Sequence, residues 1–179
     1  MILDIERVVP NAAFSLYRYL RQDCQYKVGA TQGRLIEHFQ NLQFTEAYPS
    51  DLTKLTQPTL AIQTLQALTS RTPFYGLALS DDTISIPIYG FVMGREHDRA
   101  NVLYRDRLIN DLIQILLNAN LDGVIPLYEQ ASKLVIGHLE ISDASATTIP
   151  VNVPEIEADR FKFRVDVTVG YSVETRASL

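Results

Sequence analysis

The stretch F-K-F-R-V-D-V-T-V-G-Y-S-V-E, residues 161–174, constrains the fold more than any other part of this sequence. Apolar and polar residues alternate throughout it, which is the period of a β-strand with one buried face and one solvated face. At about 3.3 Å per residue the strand would be roughly 40 Å long, which is more than most small domains use. We therefore expect the strand to bend near Gly170 or to extend past its own domain. The even-numbered face carries Lys162, Arg164 and Asp166.

A second patterned stretch runs from Ile84 to Leu117. Its first part, I-S-I-P-I-Y-G-F-V-M-G, is apolar on both alternating faces, as in a central strand covered on both sides. Pro87 has no amide donor, so it should face away from a ladder bond or lie at a bulge, which argues against a central position. In the second part, apolar residues from Val102 to Leu116 recur at helical spacing and predict a long amphipathic helix.

The remaining segments predict further helices and strands. Residues Glu6–Asp23 read as a helix with Pro10 in its first turn, where proline is tolerated. In the segment Gln25–Gln43, Gly29 and Gly33 bracket a turn, and the apolar residues that follow fit either a short helix or a half-buried strand; these residues are Leu35, Ile36, Phe39 and Leu42. A strand begins after Pro58, and Phe74–Ile88 predicts a hairpin that turns at the sequence S-D-D-T.

After Gly123 two extended segments, V-I-P-L-Y-E and K-L-V-I-G-H-L-E-I-S, precede a connector rich in Ser, Thr, Ala and Pro at Asp143–Glu155. The order of elements predicts a single α+β domain over residues 1–179. Its sheet would be mixed and mainly antiparallel, flanked by an N-terminal helix and a long central helix.

The composition is that of a folded protein, with 46% hydrophobic and 21% charged residues. The net charge of −5, from 16 basic and 21 acidic side chains, argues against tight binding of nucleic acid. A single cysteine excludes an intrachain disulfide. No apolar run approaches the roughly 20 residues that span a bilayer. The N-terminus, M-I-L-D-I-E, is acidic where a secretion signal would be basic, so we read it as mature sequence.

The most chemically suggestive cluster is Glu96, His97 and Asp98. Adjacent residues rarely point at one ion, and no second histidine lies at helical spacing, so we favour a turn and helix cap over metal binding or acid–base catalysis. His38 and His138 each stand alone beside apolar neighbours. The sequence therefore predicts no catalytic, cofactor-binding or metal-ligating residue, and Cys24 and its apolar surroundings predict a small buried hydrophobe.

Two further patterns were weighed. The segment G-A-T-Q-G from Gly29 to Gly33 lacks the Lys-Ser or Lys-Thr pair that a phosphate-binding loop requires. A group of arginines near the long helix predicts a solvated face paired with nearby acids, although a contact with an anionic partner subunit stays open. The arginines of this group are Arg95, Arg99, Arg105 and Arg107.

The layout of the chain resembles the tail terminator proteins of tailed bacteriophages, which cap the tail tube as a ring. The resemblance is carried by an N-terminal helix, the P-T-L-A-I strand, the segment I-P-I-Y-G-F-V-M-G-R-E-H-D, the helix from Arg99 and the late strand F-R-V-D-V-T-V-G-Y-S-V-E. It implies a structural virion protein, not an enzyme, and a hexameric ring at the head-proximal end of the tail. The implied partners are the tube protein, the sheath protein of a contractile tail and the head connector, with DNA passing through unbound.

We expect the subunits of such a ring to dock through a sheet edge. An acidic side of each subunit would then line the bore. The arginines named above, together with Lys162, Arg164 and Asp166, are the candidate contact residues. Two other interpretations stay open: a different head–tail joining or tail-completion protein, and a small α/β enzyme with a site near Glu96–Arg99.

Overall fold

The protein forms a mixed α/β structure dominated by one curled, mostly antiparallel sheet, as the sequence predicts. The computed structural model describes residues 5–28, 31–39, 41–51, 54–62, 79–80, 83–93, 99–119, 125–149 and 160–173. In chain order the elements are α1 (Ile5–Arg18), a π-helical turn (Tyr19–Asp23), β1 (Tyr26–Val28), β2 (Thr31–Gly33), α2 (Leu35–His38), β3 (Gln43–Thr45), β4 (Thr59–Ile62), β5 (Leu79–Ser80), β6 (Thr83–Met93), α3 (Arg99–Asn118), β7 (Ile125–Tyr128), β8 (Val135–Ile149) and β9 (Arg160–Val173).

The main sheet has the strand order β3-β4-β6-β9-β8-β7, with β5 added beside the start of β6. Neighbouring strands are antiparallel except β3 and β4, which are parallel. Strand β6 is interior, with β9 on one side and β4 and β5 on the other, so its predicted central position is confirmed. Pro87 lies opposite Asp166, between the parts of β6 that β4 and β5 pair with. Within the described chain that side of Pro87 has no strand, which is where a residue without an amide donor is tolerated.

The hydrophobic core lies on one face of this sheet, under α1 and α3. The predicted alternation of β9 is confirmed, because its odd-numbered residues from Phe163 to Val169 are fully buried and the intervening residues are only partly buried. On β6 the residues of this face include Ile84, Ile86 and Ile88. The register places Gly90 opposite Phe163, and a Cβ atom on Gly90 would lie 2.0 Å from the Phe163 ring.

Helix α1 is tied to the far end of the sheet by buried polar groups. The Ser15 hydroxyl accepts a hydrogen bond from the Tyr128 amide (2.8 Å) and donates one to the Asn11 carbonyl (2.7 Å). The Asn11 side-chain oxygen accepts from the Gln130 amide at 2.9 Å. These bonds explain why polar residues lie on the buried side of the helix. The placement of Pro10 in the first turn was wrong, because the helix begins at Ile5 and Pro10 lies inside it.

The ambiguous segment between α1 and the sheet contains both kinds of structure: the β1–β2 hairpin, the short helix α2, and then β3. Thr31–Gly33 form β2, so the described part of the G-A-T-Q-G segment is the second strand of this hairpin. The predicted hairpin before β6 is confirmed where it is described, since Ser80 pairs with Thr83. Residues 74–78 of that prediction lie outside the described residues.

The prediction of a connector from Asp143 was wrong for its first seven residues, which continue β8 to Ile149. They form a strand because each pairs with a residue of β9, a contact that a local pattern cannot show. The register shifts between Ile141 and Asp143, so Ser142 is the extra residue of a β-bulge. The Ser142 hydroxyl donates to the Thr168 carbonyl at 3.0 Å and holds the bulge against β9.

The second face of the sheet is polar over β8 and β9 and aromatic near β4. Tyr48 meets the rings of Tyr89 and Phe91 edge to face, at centroid distances of 5.0 and 5.5 Å. Leu55 and Ala61 complete this small cluster. No helix in the described part of the chain is long and apolar enough to cross a membrane.

Candidate functional site

The outer edge of β8 is the feature of this structure best suited to bind another chain. On its inner side β8 pairs with β9 from Gly137 to Ile149. On its outer side β7 pairs only with the part from Val135 to Leu139. From Asp143 to Ile149 the described chain places no strand on the outer side. An unpaired strand edge presents backbone N–H and C=O groups that can form a ladder with another strand.

Small and polar side chains dominate this open edge. Asp143, Ser145 and Thr147 are exposed on the polar face of the sheet, and Ala146 is exposed on the helix-bearing face. Ala144, on the same face as Ala146, is 8% exposed. Natural edge strands are commonly protected by lysine or proline, and the sequence E-I-S-D-A-S-A-T-T-I contains neither. The bulge at Ser142 and the charge of Asp143 are the protective features that it does have.

The opposite end of the sheet differs from this edge. It ends in β3, which is only three residues long. At the other end of the sheet, next to β8, the described strand β7 is four residues long and contains Pro126. Short strands and prolines limit how many ladder bonds an edge can offer a second chain. Among the described strands, β8 therefore has the longest stretch, Asp143–Ile149, with no described strand on its outer side.

The candidate contact residues of β9 lie on the polar face, next to this edge. The Arg164 guanidinium binds the Asp166 carboxylate at 2.6 and 2.7 Å and lies 5.7 Å from the centre of the Tyr89 ring. The hydrogen bond to Asp166 raises the pKa of Arg164. Lys162 is half-buried on the same face. The ion pair partly neutralises this surface, so these residues form a mixed-charge face rather than a basic patch.

The candidate arginines of α3 are dispersed around the helix. Arg105 binds Asp106 at 2.8 Å and is largely covered, whereas Arg107 is exposed and lies 3.9 Å from Asp111. Arg99 is exposed at the start of the helix. The predicted pairing with acidic neighbours is thus confirmed for Asp106 and Asp111. Arg95 lies outside the described residues.

The structure does not bring the two candidate groups together. Helix α3 packs on the face of the sheet that carries Val165 and Val167, whereas Lys162, Arg164 and Asp166 are on the other face. A partner could therefore contact one group without reaching the other. Whether either group contacts a partner stays a prediction.

The possible enzymatic cluster of Glu96, His97 and Asp98 lies outside the described residues. In the part of the chain that the structure does describe, no three His, Cys, Asp or Glu side chains are grouped to hold a metal ion. His138 lies partly exposed on the polar face, as predicted for a strand residue. It lines a shallow depression of about 200 Å³ together with Glu140, Gly170, Tyr171 and Ser172.

The remaining titratable groups of interest are buried or half-buried. Burial raises the pKa of the Cys24 thiol to about 11, and the Cys24 Sγ lies 3.2 Å from the Leu20 carbonyl, so the prediction of an inert buried cysteine is confirmed. Burial also raises the pKa of Tyr104 to about 12. The pKa of Asp111 is raised by burial and lowered, to a smaller extent, by Arg107 and His38. His38 ends α2 and is half-buried.

The open edge was missed by sequence reasoning, which assigned Asp143–Ile149 to a connector. The one signal available was the weak alternation of Ala144 and Ala146 with polar residues. No protein-family model matches the chain, and no curated protein matches it either.

Proposed function

We propose that this chain is a structural protein of the neck of a tailed bacteriophage, of the tail-terminator kind. It would form a hexameric ring on the head-proximal end of the tail tube and join that tube to the head connector. The observation that supports this role is the outer edge of β8 from Asp143 to Ile149, beside which no described strand lies. A ring subunit needs a surface that accepts its neighbour, and a head-to-tail contact closes into a ring when its rotation divides the circle.

The charge of the chain also supports this proposal. A passage for DNA should not hold phosphates, and counterion release requires a basic surface. The polar face of the sheet carries Glu140, Asp143 and Asp166 against Lys162 and Arg164, and the chain as a whole has a net charge of −5. This face could line a bore through which DNA passes without binding. The tube protein, the sheath protein of a contractile tail and the connector would be the partners.

Electron microscopy of the purified chain mixed with tail tubes of its phage would test this role. We expect density for a ring at one end of each tube, with six copies by native mass spectrometry of the isolated caps. A matched sample of tubes without the chain should lack the density. Tubes whose ends stay bare at saturating concentrations of the chain would contradict the proposal. Density elsewhere in the neck would favour a head-completion or tail-completion protein, the runner-up interpretation.

A further inference from the structure

We propose that His138 and Glu140 bind one divalent transition-metal ion, of the class of Zn²⁺ and Ni²⁺, on the polar face of the sheet. The inference starts from the depression of about 200 Å³ that these two residues line with Gly170, Tyr171 and Ser172. Imidazole nitrogen and carboxylate oxygen are both common ligands of Zn²⁺, and imidazole also suits Ni²⁺. The inference concerns the chain alone and does not depend on the role proposed above.

The regular part of β8 places the two side chains on the same face as neighbours. They are two residues apart, and the β-bulge lies beyond them, between Ile141 and Asp143, so it does not disturb their alternation. Their Cα atoms are therefore roughly 7 Å apart. An imidazole and a glutamate side chain at that spacing are long enough to converge on one ion, at the ligand distances of about 2.0–2.2 Å that Zn²⁺ requires.

The neighbouring strand leaves room for an ion. Gly170 of β9 lies directly opposite Glu140 and has no side chain, and Ser172, opposite His138, has a small one. Among the described residues, the only atom within 4 Å of a Cβ built on Gly170 would be the Glu140 carbonyl oxygen, at 3.9 Å. The depression is thus open above Gly170 and can admit an ion together with its water ligands.

Both donor groups are accessible. Glu140 is exposed and His138 is partly exposed, so an ion can reach them without a rearrangement of the sheet. Within the described part of the chain, no hydrogen bond or ion pair engages the imidazole of His138 or the carboxylate of Glu140. Two protein ligands are fewer than the four of a structural zinc site, so water would complete the coordination and the affinity would be modest.

Isothermal titration calorimetry of the untagged chain with ZnCl₂, repeated with NiCl₂, tests the site. We expect the binding of one ion per chain that depends on both residues. His138→Gln and Glu140→Gln each remove one ligand, and each should weaken binding at least about tenfold, since loss of a residue that only orients a ligand already costs about 10–100-fold.

Asp143→Asn is the matched control for charge. Asp143 lies on the same face of β8, on the far side of Glu140 from His138. The strand partners of Asp143 and His138 are four residues apart on β9, so the two side chains are separated by roughly 14 Å and cannot share an ion. Asp143→Asn removes the same negative charge as Glu140→Gln but no ligand, and should keep the affinity.

His97→Gln is the control for the only other cluster of ligand types that the sequence suggests, Glu96, His97 and Asp98. It should also keep the affinity. Circular dichroism checks that every variant is folded, so that a loss of binding can be assigned to the missing ligand.

Selective loss of binding in His138→Gln and Glu140→Gln is the result expected. A chain that binds no Zn²⁺ at millimolar concentration would overturn the inference. Unchanged affinity in His138→Gln, or loss of binding in His97→Gln, would overturn it because the ion would then lie elsewhere. Equal losses in Asp143→Asn and Glu140→Gln would do so as well, because the charge of the face would then hold the ion. These measurements use the chain alone, so their failure is distinct from bare tube ends in the ring experiment.

Discussion

The two halves of β8 differ in what surrounds them. In the first half, from Val135 to Leu139, β7 pairs along the outer side, and α1 is tied to β7 through Ser15. In the second half, from Asp143 to Ile149, the described chain provides β9 on one side and no strand on the other. Both halves contribute to the core, through Leu139 in the first and Ala144 in the second, and they differ in whether a described strand lies on the outer side.

The largest effect should come from removing a buried side chain of the first half. Leu139 is fully buried, and Leu139→Ala should lower the free energy of unfolding by about 2–5 kcal/mol through lost burial and a cavity. Thr147→Ala, at an exposed position of the second half, should change it by no more than about 0.5 kcal/mol. Urea unfolding at low protein concentration measures both. Similar losses of unfolding free energy for the two variants would show that Leu139 and Thr147 are equally buried, which would contradict this contrast.

A smaller effect should follow from removing the hydrogen bond between Ser15 of α1 and Tyr128 of β7. Ser15→Ala leaves the Tyr128 amide without its acceptor, and an unsatisfied buried amide costs about 1–3 kcal/mol. Ser145→Ala, its counterpart on the free edge, should have an effect within about 0.5 kcal/mol. The same unfolding measurement applies. If Ser15→Ala were as stable as the unmodified chain, the hydrogen bond between Ser15 and the Tyr128 amide would not be what stabilises the packing of α1 on β7.

The smallest effect concerns the turn that leads into the first half. The Lys133 ammonium lies 3.9 Å from the centre of the Phe14 ring of α1. Lys133→Met keeps most of the hydrocarbon stem but loses the charge, and should cost about 0.5–1 kcal/mol. Lys133→Arg keeps a cation over the ring and should retain the stability. Equal thermal unfolding curves for all three proteins would mean that this contact contributes nothing to the first half.

The elements of this fold that the sequence could predict are those in which neighbouring residues differ strongly in hydropathy. In β9 valine and phenylalanine alternate with charged residues, so both its extent and its buried face follow from the pattern. In the second half of β8 the alternating residues are alanine, serine and threonine, which differ little in hydropathy. The bulge at Ser142 also shifts the alternation, because Leu139 and Ile141 are buried before it and Ala144 after it. A strict two-residue alternation of buried and exposed residues therefore does not describe the whole strand.

The candidate site was harder to predict than the fold for a similar reason. The wet face of β9, with Lys162, Arg164 and Asp166, follows from its own sequence. Which strand lies near the edge of the sheet depends on strand order, which is set by contacts between distant parts of the chain. The order of elements along the chain does not contain that information.

Gly90 and Phe163 are coupled through space, since the ring on β9 occupies the position that a side chain on β6 would need. Natural variation at these two positions should therefore be correlated. Homologous chains that carry a larger residue at position 90 should carry a smaller one at position 163, and a pairwise swap of volumes should be tolerated where either change alone is not.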